Sequence, residues 1–178
     1  MDFSSTSTYN DLIYHSVDTI TYLYNPIIDL NQTHILHEFF IPPLYEKQFI
    51  CFIQKFFDSI NFNDVFLLNI TIRFVKKDDT TFLKYASQDV YAFVFYYRLN
   101  KTKLALSKLK YIHNVLTNKT LHLHGTFYFP YLCHYTYKQL LFAYPNILKF
   151  IQLKYKYDPN GLFSSKWFQY ILHLTSIH

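Results

Sequence analysis

Arg73 lies inside the run DVFLLNITIRFV, two positions after Thr71 and four after Asn69. In extended backbone, alternate residues share a face, so an amide, a hydroxyl and a guanidinium stand in one row. An arginine in mid-strand must be paired or meet water. One reading is a solvated surface arginine. The other is a fixed guanidinium that offers its planar fork of donors to an oxygen-rich ligand. A second row arises between Thr120 and Phe129. There Leu121, Leu123, Phe127 and Phe129 alternate with His122, His124, Thr126 and Tyr128, which predicts a strand with two imidazoles and a phenol on one face. Two histidines at that spacing hold zinc when a third ligand joins them. No nearby cysteine or carboxylate has ligand spacing and Cys133 is isolated, so no metal is expected. Polar contact with a substrate or ordinary surface exposure remain for His122, His124 and Tyr128.

Other chemistries find no residues to carry them. No G-x-S-x-G elbow occurs, because Gly125 and Gly161 are far apart. With Gly at 2 in 178 residues, no glycine-rich phosphate cradle can be built, which excludes a self-contained Rossmann or P-loop domain. Cys is 2, so no disulfide framework is implied and a reducing compartment is expected. Cys51, among phenylalanines on a helix face, reads as an inert core thiol. Hydrophobic residues are 51% and charged residues 16%, which excludes a disordered chain. Aromatic residues are 21%, and most follow strand or helix periodicity, so they read as core rather than as a base-stacking platform. The net charge of +5 raises nucleic acid as a partner, but the lysines are scattered, and those between 101 and 110 read as a solvated helix face.

The elements that must position Arg73 follow from spacing. Residues 34–41, HILHEFFI, read as a strand stopped by Pro42-Pro43. From Leu44 to Ile60 apolar residues recur at Tyr45, Phe49, Phe52, Ile53, Phe56 and Ile60, which is helical spacing. In 64–75 the even positions Phe66, Leu68, Ile70, Ile72 and Phe74 are predicted to face the core. Residues 76–89 are a polar connection. Residues 90–98, VYAFVFYYR, read as a strand, and the stripe Ala105, Leu109, Ile112, Leu116 as a helix. After Pro130 a helical stretch runs from Tyr137 to Tyr155, broken near Pro145, and 158–161 is a turn. The order βαββαβ with terminal helices is the ferredoxin-like pattern. It predicts an α+β domain, an antiparallel sheet with helices on one face and a polar face opposite. Residues 1–30 are expected to be loosely ordered, and 31–178 to form the domain. Residues 1–11 lack the features of a secretory signal. The longest stretch free of Asp, Glu, Lys and Arg, 120–137, carries histidines, Gly125 and Pro130 and makes a poor membrane span. A cytoplasmic location is expected, with peripheral membrane association left open.

Three colinear segments go further. HEFFIPPLYEKQFICFI resembles the extended-then-helical start of the substrate half of FAD-linked oxidases of the vanillyl-alcohol-oxidase type. LLNITIRFVKKDDTTFLKYASQDVYAFVFYYR is similar to the central two strands of that half. HGTFYFPYLCHYTYKQLLFAYPNILKFIQLKYKYDPNGLFSSKWF is similar to its C-terminal end. The resemblance covers about residues 34–170 in order, and its nearest branch is the aldonolactone and alditol oxidases, the D-arabinono-1,4-lactone oxidase type.

The resemblance implies a division of labour. An N-terminal domain binds FAD, and the C-terminal domain covers the flavin ring and binds a substrate whose CH–OH carbon gives up hydride; the cofactor carries the hard chemistry. Arg73 matches the strand arginine that holds the substrate hydroxyl, where it would stabilise developing alkoxide charge. Asn69, Thr71, His122, His124 and Tyr128 are then expected around the substrate. The family's acidic residue two positions before the arginine is Thr71 here, and its lysine further on falls near Pro130. FAD is expected only through a separate or lost FAD-binding domain, with a small polyol or lactone as substrate, no nucleic acid and no transmembrane segment. The chain by itself is expected to be inactive. The alternatives are a truncated, inactive fragment of such an oxidase, and a basic ferredoxin-like RNA-binding module. The RNA reading lacks the glycine and aromatic strand signature of RNA-recognition domains.

Overall fold

The computed structural model describes residues 31–60, 63–131 and 133–176. The loose segment expected over residues 1–30 lies outside the described residues. Residues from Thr33 onward form one compact unit.

Strand β1 spans Gln32–Ile41 and ends at Pro42, after which a 3-10 turn over Pro43–Tyr45 leads into helix α1, Glu46–Ser59. Proline suits this entry because its missing N–H is one that the first turn leaves unbonded anyway. Helix α1 buries Phe49 and Ile53, four residues apart on one face. Strands β2, Val65–Val75, and β3, Val90–Asn100, pair antiparallel, with Val75 opposite Val90 and Val65 opposite Leu99. Helix α2 runs Lys103–His122 and is capped by Thr102, whose hydroxyl accepts from the Ala105 N–H at 3.1 Å. A two-residue strand β4, Thr126–Phe127, pairs antiparallel with β1. Helices α3, Tyr137–Ala143, α4, Ile147–Tyr157, and α5, Lys166–Ser176, complete the chain.

The sheet order is β2-β3-β1-β4. The fold is α+β of the ferredoxin-like type, as the element order predicts, with a four-stranded antiparallel sheet and five helices among the described residues. The helices share one face. On β3, Phe93, Phe95, Tyr97 and Leu99 alternate into the core and are fully buried. They pack with Phe39 and Ile41 of β1, Phe49 and Ile53 of α1, and Leu109, Ile112 and Leu116 of α2. Each such aromatic or aliphatic side chain contributes about 1.5–3 kcal/mol when fully buried. Helix α5 docks through rings, with Trp167 stacked on Phe129 at 4.7 Å and the Tyr170 hydroxyl donating to the Tyr135 carbonyl at 2.9 Å.

Three expectations need correction. The register slips by one residue between Leu67 and Asn69, a bulge at Leu68. Beyond it Ile70, Ile72 and Phe74 do point to the helix side, but Phe66 lies on the opposite face, where the Arg98 guanidinium sits 4.9 Å over its ring. Ile72 and Phe74 are nearly half exposed, because β2 is an edge strand. Second, the strand predicted over 120–129 shrinks to two residues because α2 continues through Thr120 to His122. Third, Cys51 is exposed on α1 rather than buried.

Candidate functional site

The sheet face away from the helices carries the polar residues. No described helix covers it. The 76–89 connection folds over one end, held by Asp78, whose carboxylate accepts from the N–H groups of Thr80 and Thr81 at 2.9 and 3.0 Å. The Thr81 hydroxyl, and then those backbone bonds, keep the Asp78 carboxyl well below the usual carboxylate range. The turn delivers Ala86, fully buried, against Phe40, Val90 and Ala92, and lays Tyr85 on Phe40 with ring centroids 4.6 Å apart.

Arg73 stands on this face of β2, directly across from Ala92 of β3. A methyl at that position lets the guanidinium pass over β3 and reach β1, where its Nη2 donates to Oε1 of Glu38. Glu38 is 5% exposed and Arg73 60% exposed. The acid is therefore sealed beneath the cation. An ionised carboxylate this deep is tolerated only when paired. Around the pair, Phe40, Val75, Tyr85, Tyr128 and Tyr131 form a cleft of ≈ 290 Å³. Tyr128 meets Tyr131 edge-on at 4.6 Å and Tyr85 edge-on at 6.4 Å. Burial, then the nearby Glu38 charge, push the Tyr131 phenol above its ordinary value, so it stays protonated.

This cleft can bind and polarise. It holds one fixed guanidinium, one carboxylate, three phenols and an apolar wall, which together suit a ring or chain bearing several hydroxyls. It contains no thiol, serine or histidine. Among the described residues no three His, Cys, Asp or Glu side chains are placed to share a metal ion. Of the two glycines, Gly125 is packed tightly, its place for a Cβ only 2.2 Å from the Phe40 carbonyl oxygen, and Gly161 lies in the turn between α4 and α5. Neither belongs to a phosphate cradle.

The expected site residues divide. Arg73 and Tyr128 come together in the cleft. Asn69 and Thr71 share its face of β2, both exposed, opposite Tyr96 and Val94. His122 and His124 do not join them. His122 ends α2 and is exposed, and His124 follows in a left-handed turn at φ 56°. The His124 ring lies 5.7 Å from Tyr45 and lines a separate cleft with Gly125, Phe142 and Pro145. The two imidazoles therefore never share a strand face, because the backbone there is helical and then turns. Glu38, Tyr85 and Tyr131 are additions. Glu38 carried a readable signal: a lone acid inside HILHEFFI, on a strand whose neighbours are buried, requires a cationic partner.

Compared with known proteins, the chain matches no protein-family model and no curated sequence. No described helix is long and apolar enough to cross a membrane.

Proposed function

We propose that residues 31–178 are the substrate side of an FAD-dependent oxidoreductase that oxidises a CH–OH group of an aldonolactone or sugar alcohol, the D-arabinono-1,4-lactone oxidase type. The flavin comes from an FAD-binding domain on the same polypeptide or another, and the assembly is cytoplasmic. One observation carries the reading: Arg73 is fixed by Glu38 on a sheet face that no described helix covers, in a cleft ringed by phenols. The three colinear segments described from the sequence support it independently.

The cleft residues suit one face of a planar ring and the hydroxyls beside it. Among the described residues neither glycine belongs to a cradle for the cofactor's phosphates. Bound flavin would supply a two-electron acceptor. The domain's own work is to orient the substrate and to neutralise charge. Arg73 donates to the oxygen of the reacting carbon, and because Glu38 holds the fork in place, little reorganisation accompanies charge development. Tyr128 and Tyr131 add donors, and Phe40 and Val75 present an apolar wall.

The test is reconstitution. The full chain, joined to or mixed with its FAD-binding domain, should give a yellow complex whose flavin is bleached anaerobically by sugar lactones or alditols. A complex that binds FAD yet keeps its flavin oxidised with every lactone and alditol would end the reading.

A further inference from the structure

The Arg73–Glu38 pair fixes the electrical character of the cleft. Arg73 brings one positive charge and Glu38 one negative, and the remaining lining residues, Phe40, Val75, Tyr85, Tyr128 and Tyr131, bring none. The arginine's charge is already answered from beneath. A carboxylate or phosphate entering the cleft meets a pair of zero net charge and is repelled by the Glu38 carboxylate beneath the guanidinium. To take the guanidinium for itself it would have to displace Glu38 and leave a 5% exposed carboxylate without its cation, which is among the costlier arrangements in a protein. A hydroxyl has no such conflict. It accepts from the N–H groups of Arg73 not directed at Glu38 while the ion pair stays closed.

We propose that Glu38 is a specificity-determining residue: by occupying Arg73 it makes the cleft select uncharged polyhydroxylated ligands and reject anionic ones. The proposal rests on the reading of this cleft as a substrate site. It goes further in assigning the rejection of anions to one side chain, 35 positions away from Arg73 in sequence. Glu38→Gln keeps the shape and removes the charge. It turns the cleft from neutral to singly positive, with a guanidinium free to bind an anion in its planar fork.

The experiment uses the full chain at pH 7 and calorimetric titration with three probes: a neutral sugar lactone, the carboxylate that the lactone opens to, and inorganic sulfate. The wild type should bind the lactone at least tenfold more tightly than its carboxylate. In Glu38→Gln that order should reverse, and sulfate affinity should rise tenfold or more. The double variant Glu38→Gln/Arg73→Gln should lose the sulfate gain. A folded Glu38→Gln that binds sulfate and carboxylate no better than wild type overturns the proposal. Wild type that ignores both sugar probes, with the sulfate gain intact in Glu38→Gln, overturns the substrate reading and leaves the charge role of Glu38 standing. Should Glu38→Gln not fold, Arg73→Gln asks the same question from the other side. Its bare carboxylate should take up free guanidinium ion and exclude sulfate, and failure to bind guanidinium better than wild type overturns the proposal.

Discussion

Mild acid should destabilise this domain, and the cause is a cluster of three histidines behind the sheet. His37 of β1 and His113 of α2 lie with ring centroids 4.4 Å apart, and His134, before α3, is 5.7 Å from His113 and 6.3 Å from His37. His37 and His113 are 2% and 3% exposed. Neither ring nitrogen of His37 has a hydrogen-bond partner among the described residues, and His113 has only the Thr117 hydroxyl at 3.4 Å. Around them stand Phe39, Phe127 and Tyr97, whose ring is 5.4 Å from His37, while Lys110 is the charge acting on His134. No carboxylate pairs with these rings among the described residues.

Burial, reinforced by the neighbouring imidazoles, pushes His37 far down and His113 to about 3. An unfolded histidine titrates near 6.5. Both groups are thus neutral when folded, and stability present at pH 7 is lost as pH falls below 6.5, because only the unfolded chain takes up the proton. For His113 the loss between pH 7 and pH 5 is about 2 kcal/mol, approaching 1.4 kcal/mol per further pH unit until its folded value is reached. His37 adds with the same sign. Against a total stability of roughly 5–15 kcal/mol, that is a large share. Urea unfolding of the full chain at pH 7, 6 and 5, followed through Trp167, the only tryptophan, should show it. His113→Phe, placing an apolar ring beside Phe39 and Phe127, should recover about 2 kcal/mol of the difference. Asp64, Asp78 and Asp158 are all held below the usual carboxylate range and stay charged throughout this window. Equal stability at pH 7 and 5, or an unchanged pH slope in His113→Phe, would refute the reasoning.

Arg73→Lys in the reconstituted oxidoreductase should lower turnover roughly tenfold to hundredfold, since a point charge cannot hold Glu38 and a substrate oxygen with one planar fork; unchanged steady-state kinetics would remove its role. Gly125→Ala should destabilise the fold by about 3 kcal/mol in urea titration, because the added carbon meets the Phe40 carbonyl at 2.2 Å and the Thr120 side chain at 2.9 Å. Filter binding should retain no single-stranded RNA in a salt-dependent way. The cations on the strands of the open face are Arg73, committed to Glu38, and Arg98, lying over Phe66.

The element order, both core helices and the position of Arg73 were legible because each rests on periodicity sustained over many residues. What was lost is where periodicity is interrupted by one residue or shared between two periods. The bulge at Leu68 costs no unusual residue type, yet it sends Phe66 to the open face while leaving Ile70 and Ile72 on the expected one. The alternation in 120–129 suggests a strand. However, the stripe of α2 continues beyond Leu116 through the buried hydroxyls of Thr117 and Thr120, which an apolar count passes over. His122 and His124 were misplaced for that reason. Glu38 advertises the need for a cation but not which one, because Arg73 is on a strand two positions over in the sheet and local spacing carries no information about such a pair. Tyr85 and Tyr131 sit in irregular segments, where no period tells which way a ring points.

Strand β1 ties the two polar systems together. Its consecutive residues alternate across the sheet, so His37 and Phe39 enter the core while Glu38 and Phe40 enter the cleft. The same strand also receives β4 at Phe39 and Phe40, and the Tyr128 N–H donates to the Glu38 carbonyl at 2.8 Å. Register is therefore overdetermined: a slip of one residue would place the carboxylate among Phe49, Phe95 and Leu109 and expose the imidazole. This gives the histidine cluster a consequence for the cleft. When acid protonates His37 or His113, the strand that must loosen to admit water is the one that carries Glu38 and borders Tyr128. Loss of the Arg73 clamp and loss of core packing should then coincide in pH. A ligand that binds the closed cleft should shift both transitions toward acid together, by the mass-action stabilisation any native-state ligand confers. If the cleft instead lost its ligand at a pH where Trp167 still reported an intact core, β1 would not be the shared element.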